Sequence, residues 1–391
     1  MKNKGCFAME TRKLYYEDSH LREFSAEVLS CEPGKQDFEI VLSATAFYPE
    51  GGGQSGDTGL LGGVRVLDTR EKEGSLIHFC DGPLAVGQIV EGILDWDRRF
   101  DRMQQHSGEH IVSGLIHAKF GWHNVGFHMG ADVMTIDFDG VVPPEALVEI
   151  EARANEAVWK NLPLHIWTPS PQELPGVFYR TKKALPWPVR IVEIPGYDSC
   201  ACCGTHVTNT GEIGLVKIFS SLPCRGGTRI EMACGRMALD ILSRAYEQNR
   251  QVSQAFSAKI LETGEAAEKM NEALDAWKYR ASCLEKQIFD AKAASFAGKG
   301  DVLAFEENLD STGVRELADR IAEVCGGRAA VFSGKDGEGY SFCLVTRDGD
   351  LRSFGKDMTR ALNGRGGGKP SFQQGKVSAD RTAIEAFFAE N

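Results

Sequence analysis

The chain has 391 residues, 42% of them hydrophobic and 25% charged, which suits a soluble globular protein long enough for two or three domains. Its net charge of −11 disfavours a broad nucleic-acid-binding surface, so RNA contact would have to come from local basic patches. No run of 18 uncharged apolar residues is present, and Met1-Lys-Asn-Lys-Gly5 leads into polar sequence. The expectation is a cytosolic (cytoplasmic) chain with no membrane contact and no secretion signal.

Residues 1–95 read as β-rich, with short β-branched or alternating runs such as Phe38–Leu42 and Val64–Leu67 punctuated by glycine. Phe47-Tyr-Pro-Glu-Gly-Gly-Gly-Gln-Ser-Gly-Asp-Thr-Gly59 holds five glycines in thirteen residues. That density forbids a helix and predicts a loop whose backbone can approach another group closely. From Arg98 to Phe120 apolar and histidine positions recur at helical spacing. A strand over 133–138 and a second helix over 145–159, opened by Pro143-Pro144, complete an α+β middle domain that ends with a strand near Arg229–Met232.

Residues 236–296 keep a 3-4 apolar spacing through Leu239, Leu242, Tyr246, Phe256, Ile260, Met270, Leu274, Trp277, Leu284 and Ile288. This predicts coiled-coil helices folded as a hairpin at Thr263-Gly264, against the plainer reading of two amphipathic helices packed on a domain. The tail from Gly298 reads as a small α/β domain: a helix over 314–324, strands over 329–332 and 340–345, a glycine-rich basic loop and a last helix. Between Leu351 and Arg381 seven Lys or Arg face two Asp.

Chemistry concentrates in two segments. His106 and His110 lie four apart on the predicted helix, so both rings leave one face and can reach a single ion at about 2.0–2.1 Å each. Downstream, Ser199-Cys-Ala-Cys-Cys-Gly-Thr-His-Val207 carries Cys202 and His206 four apart. Crowded cysteines in a reducing compartment indicate metal binding or catalysis rather than disulfides, and a mixed nitrogen/sulfur set suits zinc. A structural site built on Cys200 and Cys203 is the competing arrangement. Glu109, about 100° around the helix from His110, reads as an exposed or packing carboxylate rather than a general base.

Gln105-His-Ser-Gly-Glu-His110, Cys202-Cys-Gly-Thr-His206 and the Phe47-Tyr-Pro-Glu-Gly-Gly-Gly-Gln54 loop together resemble the editing domain of alanyl-tRNA synthetase and the free-standing alanyl-tRNA editing proteins, the AlaX family in its long form. The resemblance runs over nearly the whole chain, with Asn363-Gly-Arg-Gly-Gly-Gly-Lys-Pro370 matching the glycine-rich stretch of the C-terminal domain. It implies an α+β protein: an N-terminal β-barrel domain (1–95), a zinc-containing editing domain (96–235), coiled-coil helices (236–296) and a DHH-associated C-terminal domain (297–391). The expectation is a barrel that starts almost at Met1, with no aminoacylation core before it.

By the same resemblance His106, His110, Cys202 and His206 hold one Zn2+ per chain. The family pattern has glycine where this chain has Cys203, a departure at the backbone approach but at none of the ligands. The implied activity is hydrolysis of serine or glycine wrongly esterified to alanine tRNA, with tRNA as partner through its acceptor end. Such a second site is needed because a pocket for alanine rejects serine or glycine by only about 1–3 kcal/mol.

Candidates to touch the substrate are Thr45, Gln54, Asn124, His128 and Thr205; the group that activates water is not identified. Candidates to hold tRNA phosphates are Arg180, Lys182, Lys183 and Arg190, then Arg225 and Arg229, and Arg365 and Lys369 in the tail. A homodimer through the coiled coil or the C-terminal domain is a further expectation. The rival readings are a tRNA-binding module whose zinc is purely structural, a metallohydrolase of small esters, and an editor of another tRNA such as threonine tRNA.

Overall fold

The computed structural model describes residues 11–130, 132–181 and 185–391. It is a mixed α+β chain that divides into two compact units, 1–251 and 252–391. Among the described residues no helix is long and apolar enough to cross a membrane.

In the first unit six antiparallel strands close on themselves in the order Glu23–Pro33, Phe38–Leu42, Ser75–Cys80, Val64–Lys72, Gly59–Leu61 and Ile89–Leu94. Alternation decides which side faces in. Along Ile89–Leu94 the residues Val90, Gly92 and Leu94 are buried while Ile89, Glu91 and Ile93 are exposed. Gly92 sits where the ring of Phe24 leaves no room for a Cβ. Phe24, Val28, Ile40, Leu42, Phe47, Leu61 and Val66 fill the interior.

The Trp96–Phe120 helix follows directly. Asp95 caps its start by accepting from the Arg98 N–H, and Gly121, at a φ of 75°, ends it with a bond to the His117 carbonyl. It packs on the Pro144–Lys160 helix and on a four-stranded antiparallel sheet ordered Val216–Cys224, Gly227–Cys234, Met134–Phe138 and Asn124–Met129. Met103, Ile111 and Leu115 from the helix meet Ile136, Phe138, Ile150, Ile230 and Met232 in the core. Each such side chain contributes about 1.5–3 kcal/mol. A three-stranded sheet of His165–Trp167, Ile191–Ile194 and Asp198–Ala201 lies against the same helix.

Two glycines set how closely these pieces approach. A Cβ on Gly108 would overlap the Cys234 sulfur, and one on Gly114 would overlap the Tyr197 carbonyl and press on Asp198. The glycine-rich loop is tied to the helix by a buried ion pair between Arg99 and Asp57. The same Asp57 oxygen accepts from the Tyr48 N–H at 2.7 Å, and Arg99 also donates to the carbonyls of Ser19 (3.1 Å) and Ala46. Removing either partner would strand a charge in the interior, a loss of about 3–5 kcal/mol.

The 236–296 repeat is two helices, Gly235–Phe256 and Thr263–Ala294. The break falls at 257–262, ahead of the Thr263-Gly264 hinge expected from sequence. Ser257 takes a φ of 52°, and the Ser253 hydroxyl donates to the Ala258 carbonyl at 2.6 Å, ending the first helix before Thr263 opens the second.

In the second unit a five-stranded sheet is ordered Gly300–Glu306, Gly326–Lys335, Gly339–Val345, Phe372–Val377 and Gly364–Lys369. The glycine-rich basic stretch is therefore an edge strand rather than a loop. Gly366 is needed there, since a Cβ on it would collide with the Phe342 ring and the Gln374 carbonyl.

Candidate metal centre

Helix geometry brings His106 and His110 to one face, and the turn after the Asp198–Ala201 strand carries Cys202 and His206 over it. The donor atoms of all four lie within 4.8 Å of one another. Cys202 Sγ stands 3.4 Å from His106 Nε2 and 3.4 Å from His206 Nε2. A nitrogen and a sulfur bound to one tetrahedral ion are separated by about 3.5 Å, so the spacing suits a shared ion. His106, His110 and His206 are buried.

The other nitrogen of each imidazole faces a polar neighbour, leaving Nε2 for the centre. Gln54 Oε1 lies 3.2 Å from His106 Nδ1, Ser107 Oγ lies 3.2 Å from His206 Nδ1, and Asp198 Oδ2 lies 3.0 Å from His110 Nδ1. Such partners set the tautomer and ring orientation of a metal-binding histidine. Gln54 is in turn fixed by donating to Thr205 Oγ1 at 2.8 Å. Asp198 accepts two bonds from Arg180, 2.6 Å from Nε and 2.8 Å from Nη2.

The electrostatics follow from burial and these contacts. Burial alone raises the Cys202 thiol, but the facing His106 and His206 outweigh it and hold the group well below its usual range. Asp198 is likewise pushed up by burial, yet His110 and Arg180 prevail and keep its carboxyl below the ordinary value. Burial lowers His110, whereas Asp198 and Cys202 raise it further, so the net direction is upward. A cation binding here takes the thiolate and displaces the proton that Asp198 and Cys202 favour on His110.

The centre forms one wall of a cavity of about 670 Å3, lined also by Gly52, Gly53, Glu109, Asn124, Phe127 and Arg180. The glycine-rich loop approaches here as its composition requires. Gly53 has a φ of 87°, and a Cβ on it would clash with Phe127. The close backbone approach in the second motif is made by Gly204, where a Cβ would overlap the His106 ring, and not by the exposed Cys203. Cysteine at 203 therefore leaves that approach intact.

The other sequence candidates separate clearly. Gln54 and Thr205 are buried behind the histidines, and Asn124 lines the cavity. Thr45 is turned into the barrel, where Oγ1 lies 2.8 Å from His78 Nε2, and His128 is exposed on its strand away from the cavity lining. Among the proposed phosphate contacts, Arg180 is committed to Asp198. Arg190 donates to the carbonyls of Cys202 (2.9 Å) and Gly204 (3.0 Å) while lying over the Tyr16 ring. Arg229 is paired with Asp137. Lys182 and Lys183 lie outside the described residues. Arg225, Arg365 and Lys369 are exposed. Cys200 lies beside His110 and Asp198, so its sulfur faces the first motif and not a separate site with Cys203.

Sequence reasoning missed Asp198, Ser107 and the N-terminal clasp. Tyr16 donates to the Cys203 carbonyl (2.9 Å) and Ser19 to the His206 carbonyl (2.9 Å), from nearly two hundred residues away. Ser107 and Asp198 sit next to motif residues, a usable signal; nothing local marks Tyr16 or Ser19. Glu109, read as exposed or packing, is buried and faces the cavity.

Comparison with known proteins adds to this geometry. The family model described as the threonyl and alanyl tRNA synthetase second additional domain matches residues 189–231, and that of class II (A) tRNA synthetases matches 7–98. The alanyl-tRNA editing protein Aarsd1-A of Xenopus laevis is 29% identical, with 94% of this chain and 95% of that protein aligned. The alanyl-tRNA editing protein AlaX-L of Pyrococcus horikoshii is 28% identical, with the same 94% and 95% coverage. An alanine–tRNA ligase from Pyrobaculum arsenaticum is 32% identical over 96% of this chain, which spans 44% of the ligase.

Proposed function

We infer that this chain, related to the alanyl-tRNA editing proteins over nearly its whole length, is an aminoacyl-tRNA deacylase that acts in trans on mischarged alanine tRNA. The observation that carries the reading is the three-histidine, one-cysteine cluster set into the wall of a cavity large enough for an aminoacylated adenosine. The family match at 189–231 is shared with threonyl enzymes, but the relatives that align end to end carry the alanyl name.

His106, His110, Cys202 and His206 would hold the metal, and the donor set favours zinc. Bound there, zinc would organise the pocket wall and supply Lewis-acid polarisation of an ester carbonyl or of a water. The remaining work falls to the chain. Gln54, Ser107 and Asp198 orient the imidazoles, and the Gly52-Gly53 backbone closes on the cavity without side chains to block it. Asn124 is the candidate from the sequence that can meet the aminoacyl group. The substrates are serine and glycine esters of alanine tRNA. Arg225, Arg365 and Lys369 remain as phosphate contacts, and the exposed Met270, Leu274 and Trp277 of the Thr263–Ala294 helix are the candidate dimer face.

The test is deacylation of alanine tRNA charged separately with serine, glycine and alanine, using metal-quantified protein and Cys202→Ala. Release of serine or glycine with alanine spared, and an inactive variant, is the expected result. No release from any ester despite bound zinc and measurable tRNA affinity would sink the reading and favour the binding module.

A further inference from the structure

One charged group in the cavity has no part in holding the metal centre. Glu109 follows the Trp96–Phe120 helix to the position just before His110, and it is only 5% exposed. Two neutral donors reach it, Asn124 Nδ2 at 2.6 Å and the Ser113 hydroxyl, and both land on Oε1. Among the described residues no hydrogen bond or ion pair engages Oε2. Among the described residues that line the cavity the one Arg or Lys is Arg180, which gives two bonds to Asp198. Asn124 is itself nine-tenths buried, and its Oδ1 has no partner. Glu109 and Asn124 both line the cavity.

The hydrogen bonds of this buried carboxylate come from neutral donors alone and Arg180 adds only attraction at longer range, so a cation entering the cavity gains a direct partner. An aminoacyl ester offers one cation, the α-ammonium, two bonds from the carbonyl carbon and about 2.5 Å from it. Glu109, His106 and His110 line one cavity, so an ester whose carbonyl meets the histidines carries its ammonium into space that Glu109 and Asn124 also line. Its three N–H donors match the open acceptors, Glu109 Oε2 and Asn124 Oδ1.

We propose that Glu109, held by Ser113 and Asn124, is the receptor for the α-ammonium group of the aminoacyl ester, so that the site takes esters of free α-amino acids and turns away N-acylated ones. This rests on the aminoacyl-ester reading above. It assigns Glu109 to substrate binding, not to proton transfer from water.

The experiment compares wild type and Glu109→Gln on seryl-tRNA and N-acetylseryl-tRNA, each rate taken relative to its uncatalysed hydrolysis, with zinc content measured throughout. In parallel, calorimetry follows binding of 3′-amino-adenosine bearing amide-linked serine, with its amine free or acetylated. Wild type should favour the free amine about 10- to 100-fold in both assays, the range of one charge-assisted bond. Glu109→Gln should lose that preference through KM, with kcat within a few-fold and zinc unchanged. Equal handling of free and acetylated compounds by wild type, a comparison that needs no variant, would overturn the proposal. So would a variant that keeps the preference but loses kcat on both esters, the signature of a general base. Absence of turnover by wild type on every ester would count against the deacylase reading instead, and the analogue binding would still decide the role of Glu109.

Discussion

Asp198→Asn tests whether the metal centre is tuned from behind. The Asp198 carboxylate lies 3.0 Å from His110 Nδ1 and takes both bonds of the Arg180 fork, with its own side chain 1% exposed and that of Arg180 10% exposed. Asparagine keeps the shape but replaces one acceptor oxygen by an N–H2 that must face a donor. Two effects follow. Loss of the carboxylate behind a metal-binding histidine weakens metal affinity about 10- to 100-fold, or about 1.4–2.7 kcal/mol. Leaving the guanidinium buried without its partner destabilises the metal-free fold by about 3–5 kcal/mol. Competition with a chelating indicator measures the first and urea unfolding of the stripped protein the second. Gly114→Ala should reproduce the affinity loss, because the added Cβ would overlap the Tyr197 carbonyl and press on Asp198. A folded Asp198→Asn protein that binds zinc within twofold of wild type would refute the reasoning.

Three further outcomes are expected. Gly204→Ala should abolish stoichiometric metal binding, read by metal analysis of the folded protein, because its Cβ would occupy the space of the His106 ring. His78 is buried in the barrel between Thr45 and the Ile40 carbonyl, and burial pulls it down to about 4. The folded value lies below the unfolded one of about 6.5, so this stability is complete above about pH 6.5 and is lost as pH falls through about 4. The total is about 3 kcal/mol, and His78→Gln should flatten that part of the urea-midpoint profile relative to wild type. Arg365→Ala and Lys369→Ala should each weaken tRNA binding and reduce the slope of log affinity against log salt by about 0.9, measured by filter binding between 50 and 200 mM salt.

The two halves of the His/Cys cluster were legible because each is local. His106 and His110 sit one helical turn apart, and Cys202 and His206 share one short turn, so spacing alone states that each pair converges. The glycine density of 47–59 announced a close backbone approach, and Gly53 makes it against Phe127. Basic residues were the least legible. Arg180, Arg190 and Arg229 read as phosphate contacts because charge is visible in a sequence, whereas the carboxylates and carbonyls that engage them are not adjacent to them. The facing of Thr45 is illegible for a similar reason: alternation leaves it open, and its partner His78 is 33 residues away. The glycine-rich tail was misread as a loop because its pairing with Phe372–Val377, which satisfies its backbone groups, carries no compositional mark.

By itself the sequence determined the donor types of the His/Cys cluster, their pairwise spacing and the order of the folded pieces, since helical periodicity, glycine content and donor chemistry are properties of neighbouring residues. Only the tertiary structure decided that Asp198, Ser107 and Gln54 stand behind the three histidines, that Tyr16 and Ser19 clasp the second motif, and that Glu109 turns into the cavity. The physical reason is that these relations depend on how closely a helix, a sheet and a loop can approach. That approach is set where Gly108, Gly114 and Gly204 leave room for a neighbour distant in the chain.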